Sequence, residues 1–451
     1  MRCVWSCGSR ALTMDKRKKL RTAVELGKDI LILLLTCSAV WMLVRGGLFN
    51  RLTLGEEDQA QVAGVQNNSD VQTQAVRPMR LTATLQGGDQ PVRYTAQYDA
   101  QAVDALFQKS AGLLMETLSS AEQPQPVTRR DWEEALGRAP GLCFDFQGEM
   151  PLSALTGWLS VELSVPDALV RRVLLTVWEG SAALYYYDLN TQSWYRCVTQ
   201  VVGAVQLENV LDGLSANGAY YAFESDRTDP MAGDTLLVPS PEPLVVYTAG
   251  NPMSGGRGAL EGLMTDLGFN LSACVFYSGA GEEVGRSGSD TLRMSKDGVV
   301  EYHTDVDGPK QFPVNAIPDR SEVFAAADAC SRLLWQAVNT RSGQAHTNLS
   351  RVEQTDRGWV LEFEYSLNAI PVSMKNGPAA RFEVTDGQIT AFTLRLRSYT
   401  AGESRQILLP PIQAAAAMAA LELDGRELQV MYRDSGEEWV SPNWTAISEE
   451  G

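Results

Sequence analysis

The sequence predicts an α+β protein: a single N-terminal transmembrane helix followed by a multi-domain extracytoplasmic region of antiparallel sheets with packed helices. Three observations lead there. Residues 30–44 form the one strongly apolar run of the 451-residue chain. A basic segment precedes it and an acidic remainder follows it. Beyond residue 78, short alternating strands joined by Gly-Gly and Asp-Gly turns are interspersed with amphipathic helical segments.

Residues 1–29 carry a net charge of about +5, which leaves about −22 on the rest of a chain whose total is −17. Positive charge ahead of an apolar run holds that side in the cytoplasm. Lys16, Arg17, Lys18, Lys19, Arg21 and Lys28 therefore set the topology, with 1–29 a cytoplasmic basic tail and the bulk of the chain outside a single-pass cell membrane protein. Residues 1–13 look unlike the rest, and Met14-Asp15-Lys16-Arg17 is the expected start. Residues 30–49 read as an uncleaved signal anchor. The apolar run reaches roughly 22 Å at 1.5 Å per residue, short of a hydrocarbon core of roughly 30 Å. Snorkelling of Lys28 and Arg45, with the helix continuing past Gly46, closes the gap. A cleaved signal peptide would need small residues at an A-x-A-like site, and residues 45–50 offer none. A lipoprotein would use Cys37, but apolar residues continue to Val44.

Residues 50–78, rich in Gln, Asn, Asp and Ser, read as a flexible stalk. The first extracytoplasmic α+β domain is expected over 79–238. It opens with a hairpin over 79–98 turning at Gly87-Gly88, followed by a helix over 99–118 with Val103, Leu106, Phe107, Leu113, Leu114 and Leu118 on one face. Thr128-Arg129-Arg130-Asp131 starts a second helix with a capping-box pattern. Strands are expected at 141–146, 170–178, 183–188, 193–199 and 219–224, with a short helix at 205–214. A middle α+β domain over 239–316 carries a strand at 244–248, a helix at 257–267, a strand at 274–277 and a hairpin turning at Asp297-Gly298. The C-terminal α+β domain, 317–451, opens with a helix over 321–338 presenting Val323, Phe324, Ala327, Cys330, Leu334 and Val338. Strands follow at 358–365, 379–385 and 389–399, then a helix from Pro410-Pro411, and strands at 427–432 and 439–444. Strand, Asp-Gly, strand occurs twice, at 291–302 and 380–394, either as a repeated helix-plus-sheet module or as common hairpin chemistry.

At 44% hydrophobic and 21% charged residues the exterior is ordinary globular material. Its acidity argues against nucleic acid and against docking on anionic surfaces. The seven cysteines show no C-x-x-C spacing, and free thiols are expected. Chemistry is hard to assemble. His303 and His346 stand alone. Gly285-Arg286-Ser287-Gly288-Ser289 reads as a loop, not a nucleophile turn, because no apolar strand leads into it. The glycine-rich stretch 253–258 lacks a phosphate-binding fingerprint. Glu133-Glu134 and Glu282-Glu283 are unselected members of an acidic chain, and Tyr185-Tyr186-Tyr187 with Trp194-Tyr195 reads as sheet packing. No catalytic, cofactor-binding or metal residue is assigned, no cofactor is expected, and the chain is read as not an enzyme.

The C-terminal half carries a resemblance. Gly358-Trp359-Val360-Leu361-Glu362-Phe363-Glu364-Tyr365, Ala369-Ile370-Pro371-Val372 and Phe382-Glu383-Val384-Thr385-Asp386-Gly387-Gln388-Ile389 resemble the YycH and YycI family of membrane-anchored regulators of Gram-positive bacteria, the domain over 317–451 being YycI-like. Leu428-Gln429-Val430-Met431-Tyr432 before Trp439-Val440-Ser441-Pro442-Asn443-Trp444, the hairpin at 292–302 and the N-terminal anchor fit as well. The resemblance implies an extracytoplasmic regulator of a two-component sensor histidine kinase (WalK, also YycG) that controls cell-wall metabolism. Its implied partners are the membrane, the kinase and a YycI-like protein. In such a protein the span is a binding element, formed here by Ile30, Leu33, Leu34, Thr36, Cys37, Ser38, Ala39, Trp41 and Val44. Thr36 to Ala39 form a small, weakly polar stretch that allows close helix approach, although the same residues also suit lipid contact. An anchored wall hydrolase and an extracytoplasmic ligand-binding module stand as alternatives. Replacing Thr36, Ser38 and Ala39 together by Leu is expected to weaken association with the kinase while leaving membrane insertion intact, and undiminished co-purification of the kinase would refute the contact.

Overall fold

The computed structural model describes residues 77–447 apart from 229, 240–241, 306–309 and 424. The basic tail, the apolar run and nearly all of the stalk lie outside the described residues. Strands β1 (Arg80–Leu85) and β2 (Val92–Ala96) form the expected antiparallel hairpin. Helix α1 (Ala100–Ser120) starts where Asp99 accepts hydrogen bonds from the amides of Gln101 and Ala102, and all six apolar residues of its predicted face are buried. Then come β3 (Gln125–Val127), α2 (Arg129–Leu136), β4 (Gly141–Pro151), α3 (Leu152–Trp158), β5 (Leu169–Trp178), β6 (Ser181–Asp188), β7 (Ser193–Gly203) and α4 (Ala204–Leu211). The strands form a seven-stranded antiparallel sheet in the order β2-β1-β4-β5-β6-β7-β3. One face packs Leu81, Phe144, Leu175 and Tyr186 beneath α1. The other packs Cys143, Leu174 and Tyr185 beneath Trp132 of α2 and the two-stranded ribbon β8 (Tyr220–Tyr221) and β9 (Leu236–Leu237).

The strand expected at 219–224 is thus two residues long. The Glu224 carboxylate accepts from the Tyr221 amide at 2.8 Å and is held by Arg93 at 2.6 Å, which turns residues 222–224 into a 3₁₀ turn. Strand β4 runs beyond the predicted Phe146, with a register shift between Asp145 and Met150. There Gly148 lies flat against Leu349, and a Cβ at that position would sit 2.5 Å from the Leu349 carbonyl oxygen.

The second sheet has eleven strands. Helix α5 (Arg257–Asp266) precedes a four-strand meander of β11 (Val275–Gly279), β12 (Glu282–Ser287), β13 (Asp290–Ser295) and β14 (Val299–His303). Helix α6 (Glu322–Val338) precedes β15 (His346–Thr355), β16 (Gly358–Leu367), β17 (Ile370–Met374), β18 (Ala380–Thr385) and β19 (Gln388–Arg395). The last strands of the two runs, β14 and β19, pair antiparallel, Tyr302 opposite Phe392 with the rings stacked at 4.8 Å. Two helix-plus-meander units therefore meet edge to edge, and the two Asp-Gly turns occupy equivalent places in them. Gly285-Arg286-Ser287, read above as a loop, belongs to β12. That strand owes its place to pairing on both sides, Phe276 and Leu292 flanking Gly285, and not to an apolar pattern of its own.

The strand expected over 389–399 breaks at Arg397, whose guanidinium grips Asp434 at 2.9 and 3.2 Å. Beyond the break, β20 (Ser398–Gln406) joins a separate three-stranded sheet with β10 (Leu244–Gly250) and β22 (Trp439–Val440). After α7 (Pro411–Ala420), β21 (Glu427–Asp434) pairs parallel to β17 and antiparallel to β23 (Pro442–Ile447). The main core runs unbroken from the first sheet to the second. At the join, Trp158 of α3 meets Phe324 of α6 edge-on at 5.9 Å.

A Cβ at Gly157 would lie 2.3 Å from the Phe324 ring, whereas one at Gly112, exposed on α1, would meet nothing within 4 Å. Gly157→Ala is expected to destabilise by about 1–3 kcal/mol through overpacking, and Gly112→Ala to stabilise by about 0.5–1 kcal/mol. Urea unfolding of the full chain in detergent checks both signs.

Candidate functional site

The face of the seven-stranded sheet beneath α2 carries charges where apolar residues are the norm. Arg80 on β1, Asp145 on β4 and Arg172 on β5 stand opposite one another in the register, and all three point into the same buried cluster. Asp145 Oδ2 accepts from Arg80 Nε at 2.8 Å and from Arg172 Nε at 2.6 Å. Asp234, in the turn before β9, accepts from Arg172 Nη1 at 2.6 Å. Glu427, the first residue of β21, accepts from Arg80 Nη2 at 2.6 Å, pairs with Arg172 and receives Arg171 Nη2 at 2.9 Å. Three guanidiniums thus face three carboxylates.

Burial by itself would raise the Asp145 and Glu427 carboxyls, but the arginines outweigh it. Arg172, Arg80 and Arg171 hold Asp145 well below the usual carboxylate range, and Arg171, Arg172 and Arg80 do the same for Glu427. Burial likewise works against the charge on Arg80, and Asp145 and Glu427 overcome it. Asp145, Glu427 and Arg80 therefore stay ionised.

Beside this cluster opens a pocket of about 290 Å³. Trp194 on β7 forms its aromatic wall, 4.9 Å from Trp132 and 4.6 Å from Tyr187 of β6, ring centre to ring centre. Arg129, Arg171, Asp234 and Glu427 also line it. The capping box predicted at Thr128 fixes the lid: Thr128 Oγ1 accepts from the Asp131 amide at 3.2 Å while Asp131 accepts from the Thr128 amide at 2.7 Å. That fixes where α2 begins and so where it carries Arg129 and Trp132 over the sheet. The tyrosine run read as sheet packing divides, with Tyr185 and Tyr186 buried and Tyr187 half-exposed in the pocket.

The cluster's own groups are held in fixed protonation states. The Cys143 thiol beneath the cluster is pushed up to about 12 by burial, which leaves it inert. Asp145 and Glu427, locked as carboxylates, donate no proton. The carboxylate pairs noted in the sequence lie elsewhere. Glu133 and Glu134 pair with Arg129 and Arg130 along α2, and Glu282 and Glu283 sit on β12. Glu364, raised to about 7 by burial and by Glu362, belongs to β16 of the second sheet.

His303 is exposed at the end of β14, and His346, half-buried on β15, is held below its usual range by burial and Arg77. Among the described residues no group of His, Cys, Asp and Glu is placed to hold a metal, and the four described cysteines are free. The residues assigned to the span and its basic flank lie outside the described residues. Among those described, no helix is long and apolar enough to cross a membrane. No spacing motif in the sequence marks the cluster, and its visible traces are Arg171-Arg172 inside the apolar strand 169–178 and Asp145 within Cys143-Phe144-Asp145-Phe146.

No family model matches the chain, and no curated protein does. Among solved structures it is similar to YycH from Bacillus subtilis, with a TM-score of 0.54 and 11% identity, covering 84% of this chain and 95% of that one. The fold is that of YycH. At 84% of this chain the YycH likeness takes in both sheets and is not confined to one of them. At 11% identity it is a likeness of chain path, so the chemistry of the cluster rests on this chain's own side chains.

Because Asp145 and Glu427 titrate lower in the folded state than in the unfolded chain, their stabilisation is present above about pH 4 and is lost as pH falls towards the folded values. Stability is therefore expected to fall steeply below about pH 4. Asp145→Asn should cost about 3–5 kcal/mol at neutral pH by leaving buried guanidiniums unpaired, and its acid limb should be shallower. Urea unfolding across a pH series reads both effects.

Proposed function

We propose that this protein is a membrane-anchored extracytoplasmic regulator of a two-component sensor histidine kinase that controls cell-wall metabolism, acting through contacts in the membrane and outside it. The observation that carries this reading is the YycH fold, covering 95% of the YycH chain. The residues that resemble the YycH and YycI family in the C-terminal half support it, as does an apolar run at 30–44 flanked by Lys16 to Lys28 on the side that topology rules place in the cytoplasm. A cluster whose carboxylates and thiol are locked in unreactive states fits a regulator better than a hydrolase. The kinase is the proposed partner, with a YycI-like protein as a second, and nucleic acid has no place on so acidic an exterior. The half-exposed aromatic pocket favours a second reading, an extracytoplasmic ligand-binding module, which is compatible with the first.

The kinase is expected to co-purify with the full chain and not with a chain beginning at residue 79. Recovery with neither refutes the regulatory reading, and equal recovery with both removes the span from the contact.

A further inference from the structure

Four strands of the second sheet run out at the same place. β13 ends at Ser295, β17 at Met374, β19 at Arg395 and β21 at Asp434. The register holds these ends together, with Met374 opposite Asp434 and Arg395 opposite Val299 at the start of β14. Residues of the turns that follow, Lys296 and Asp297, Lys375 and Asn376, Ser435 and Gly436, line a cavity of about 390 Å³ together with Arg395 and Arg397. That is room enough for a small molecule.

The charges of this cavity do not cancel. Asp434 is fully used: Arg397 holds both its oxygens, Oδ2 also accepts from the Tyr399 hydroxyl at 2.7 Å, and Oδ1 from the Gly436 amide at 2.8 Å. With that pair set aside, Lys296, Lys375 and Arg395 share the lining with one carboxylate, Asp297, in a chain of net charge −17. Among the described residues none of the three cations has a carboxylate at ion-pairing distance.

Arg395 is the most firmly placed of them. Its Nη1 donates to the Pro378 carbonyl at 3.0 Å, and its guanidinium lies against Gly377, where an added Cβ would stand 3.3 Å from Nη2. Nε and Nη2 have no partner among the described residues, and neither is shut off from solvent. Burial works against the charge on Arg395, and Glu301 and Glu362, which favour it from beyond pairing distance, do not make up the loss. An anion in the cavity would.

Three cations less one carboxylate leave an excess of two charges. A phosphomonoester or a dicarboxylate supplies about that number at neutral pH. We infer that this cavity is a binding site for a small dianion, phosphoryl or dicarboxylic, with Arg395 as the anchoring residue and Lys296 and Lys375 as flanking charges. The site is independent of the regulatory reading, since it rests on side chains of the described exterior and not on the span or a kinase.

Asn376 and Ser435 are exposed, make no side-chain hydrogen bond, and can meet hydroxyl groups, so the probe is glycerol 1-phosphate. Succinate serves as a dianion without phosphorus, acetate as a monoanion and glycerol as a neutral polyol. Each is titrated calorimetrically into the full chain in non-ionic detergent with no kinase present. At least one dianion is expected to bind saturably, at least about tenfold more tightly than acetate or glycerol, and the tighter of the two identifies phosphoryl or dicarboxylic chemistry. Arg395→Met should weaken that dianion at least about tenfold, and Lys296→Gln combined with Lys375→Gln by a similar factor, while Arg130→Met, on α2, should change nothing. Both lysines are exposed, so their double variant keeps the test decisive if Arg395→Met fails to fold. Saturable binding of neither dianion, acetate or glycerol matching the tighter one, or full affinity in folded Arg395→Met or in the lysine double variant each overturns the inference.

Discussion

The bond that most constrains this structure joins Arg80 to Glu427, buried side chains 347 residues apart in sequence. Arg80 belongs to the first strand of the first sheet and Glu427 to one of the last strands of the second, so the pair joins the beginning and the end of the described residues. Around it the backbone is committed as well: the Ala232 amide donates to the Arg426 carbonyl at 2.9 Å, and the Gly425 amide to Pro230 at 2.8 Å. Buried ion pairs add little net stability, because removing both charges from water costs about what their attraction returns. Their effect is selective. A slip of one residue in β21 would carry Glu427 to the other face and leave three guanidiniums in the interior without it. The network therefore fixes which strand residue meets the first sheet.

The pocket inherits its geometry from that constraint. Arg171 and Arg172 are placed by β5, Tyr187 and Trp194 by neighbouring strands, and Glu427 by β21. Helix α2 completes the enclosure, with Trp132 packed on Trp194 and its start fixed by the Thr128 box. At the other end of the molecule the two helix-plus-meander units share one core, in which Tyr302, Phe312, Phe382 and Phe392 pack as a connected set of rings across the β14–β19 junction. Most of the pocket's residues are therefore carried by strands and by α2, Asp234 being placed by the turn before β9.

Elements with a strong pattern of their own were legible in the sequence. Helices α1 and α6 showed their apolar stripes and α2 its Thr128 capping box, and the Asp-Gly turns announced two hairpins. Strands β12 and β15 were not legible, because most of their residues are polar or exposed and their conformation is imposed by neighbours. The same physics hid the site. Charged residues inside apolar strands, Asp145 and Arg171-Arg172, marked positions needing partners. The partners, Asp234 and Glu427, lie in acidic surroundings where nothing distinguishes them until the fold brings them in.

Apolar residues of similar volume could replace such a network with no loss of stability, so the retention of charge needs a further reason. Register explains Arg80 and Arg172, whose side chains are 4% and 12% exposed and which together already satisfy Asp145 and reach Glu427. Arg171 is different. Its side chain is 23% exposed, its Nε stands at 4.0 Å from Asp145 without a hydrogen bond, and Glu427 would remain doubly paired without it. It still does most of the three guanidiniums to keep Glu427 ionised, and from the edge of the cluster it does so at a smaller desolvation cost than a fully buried arginine.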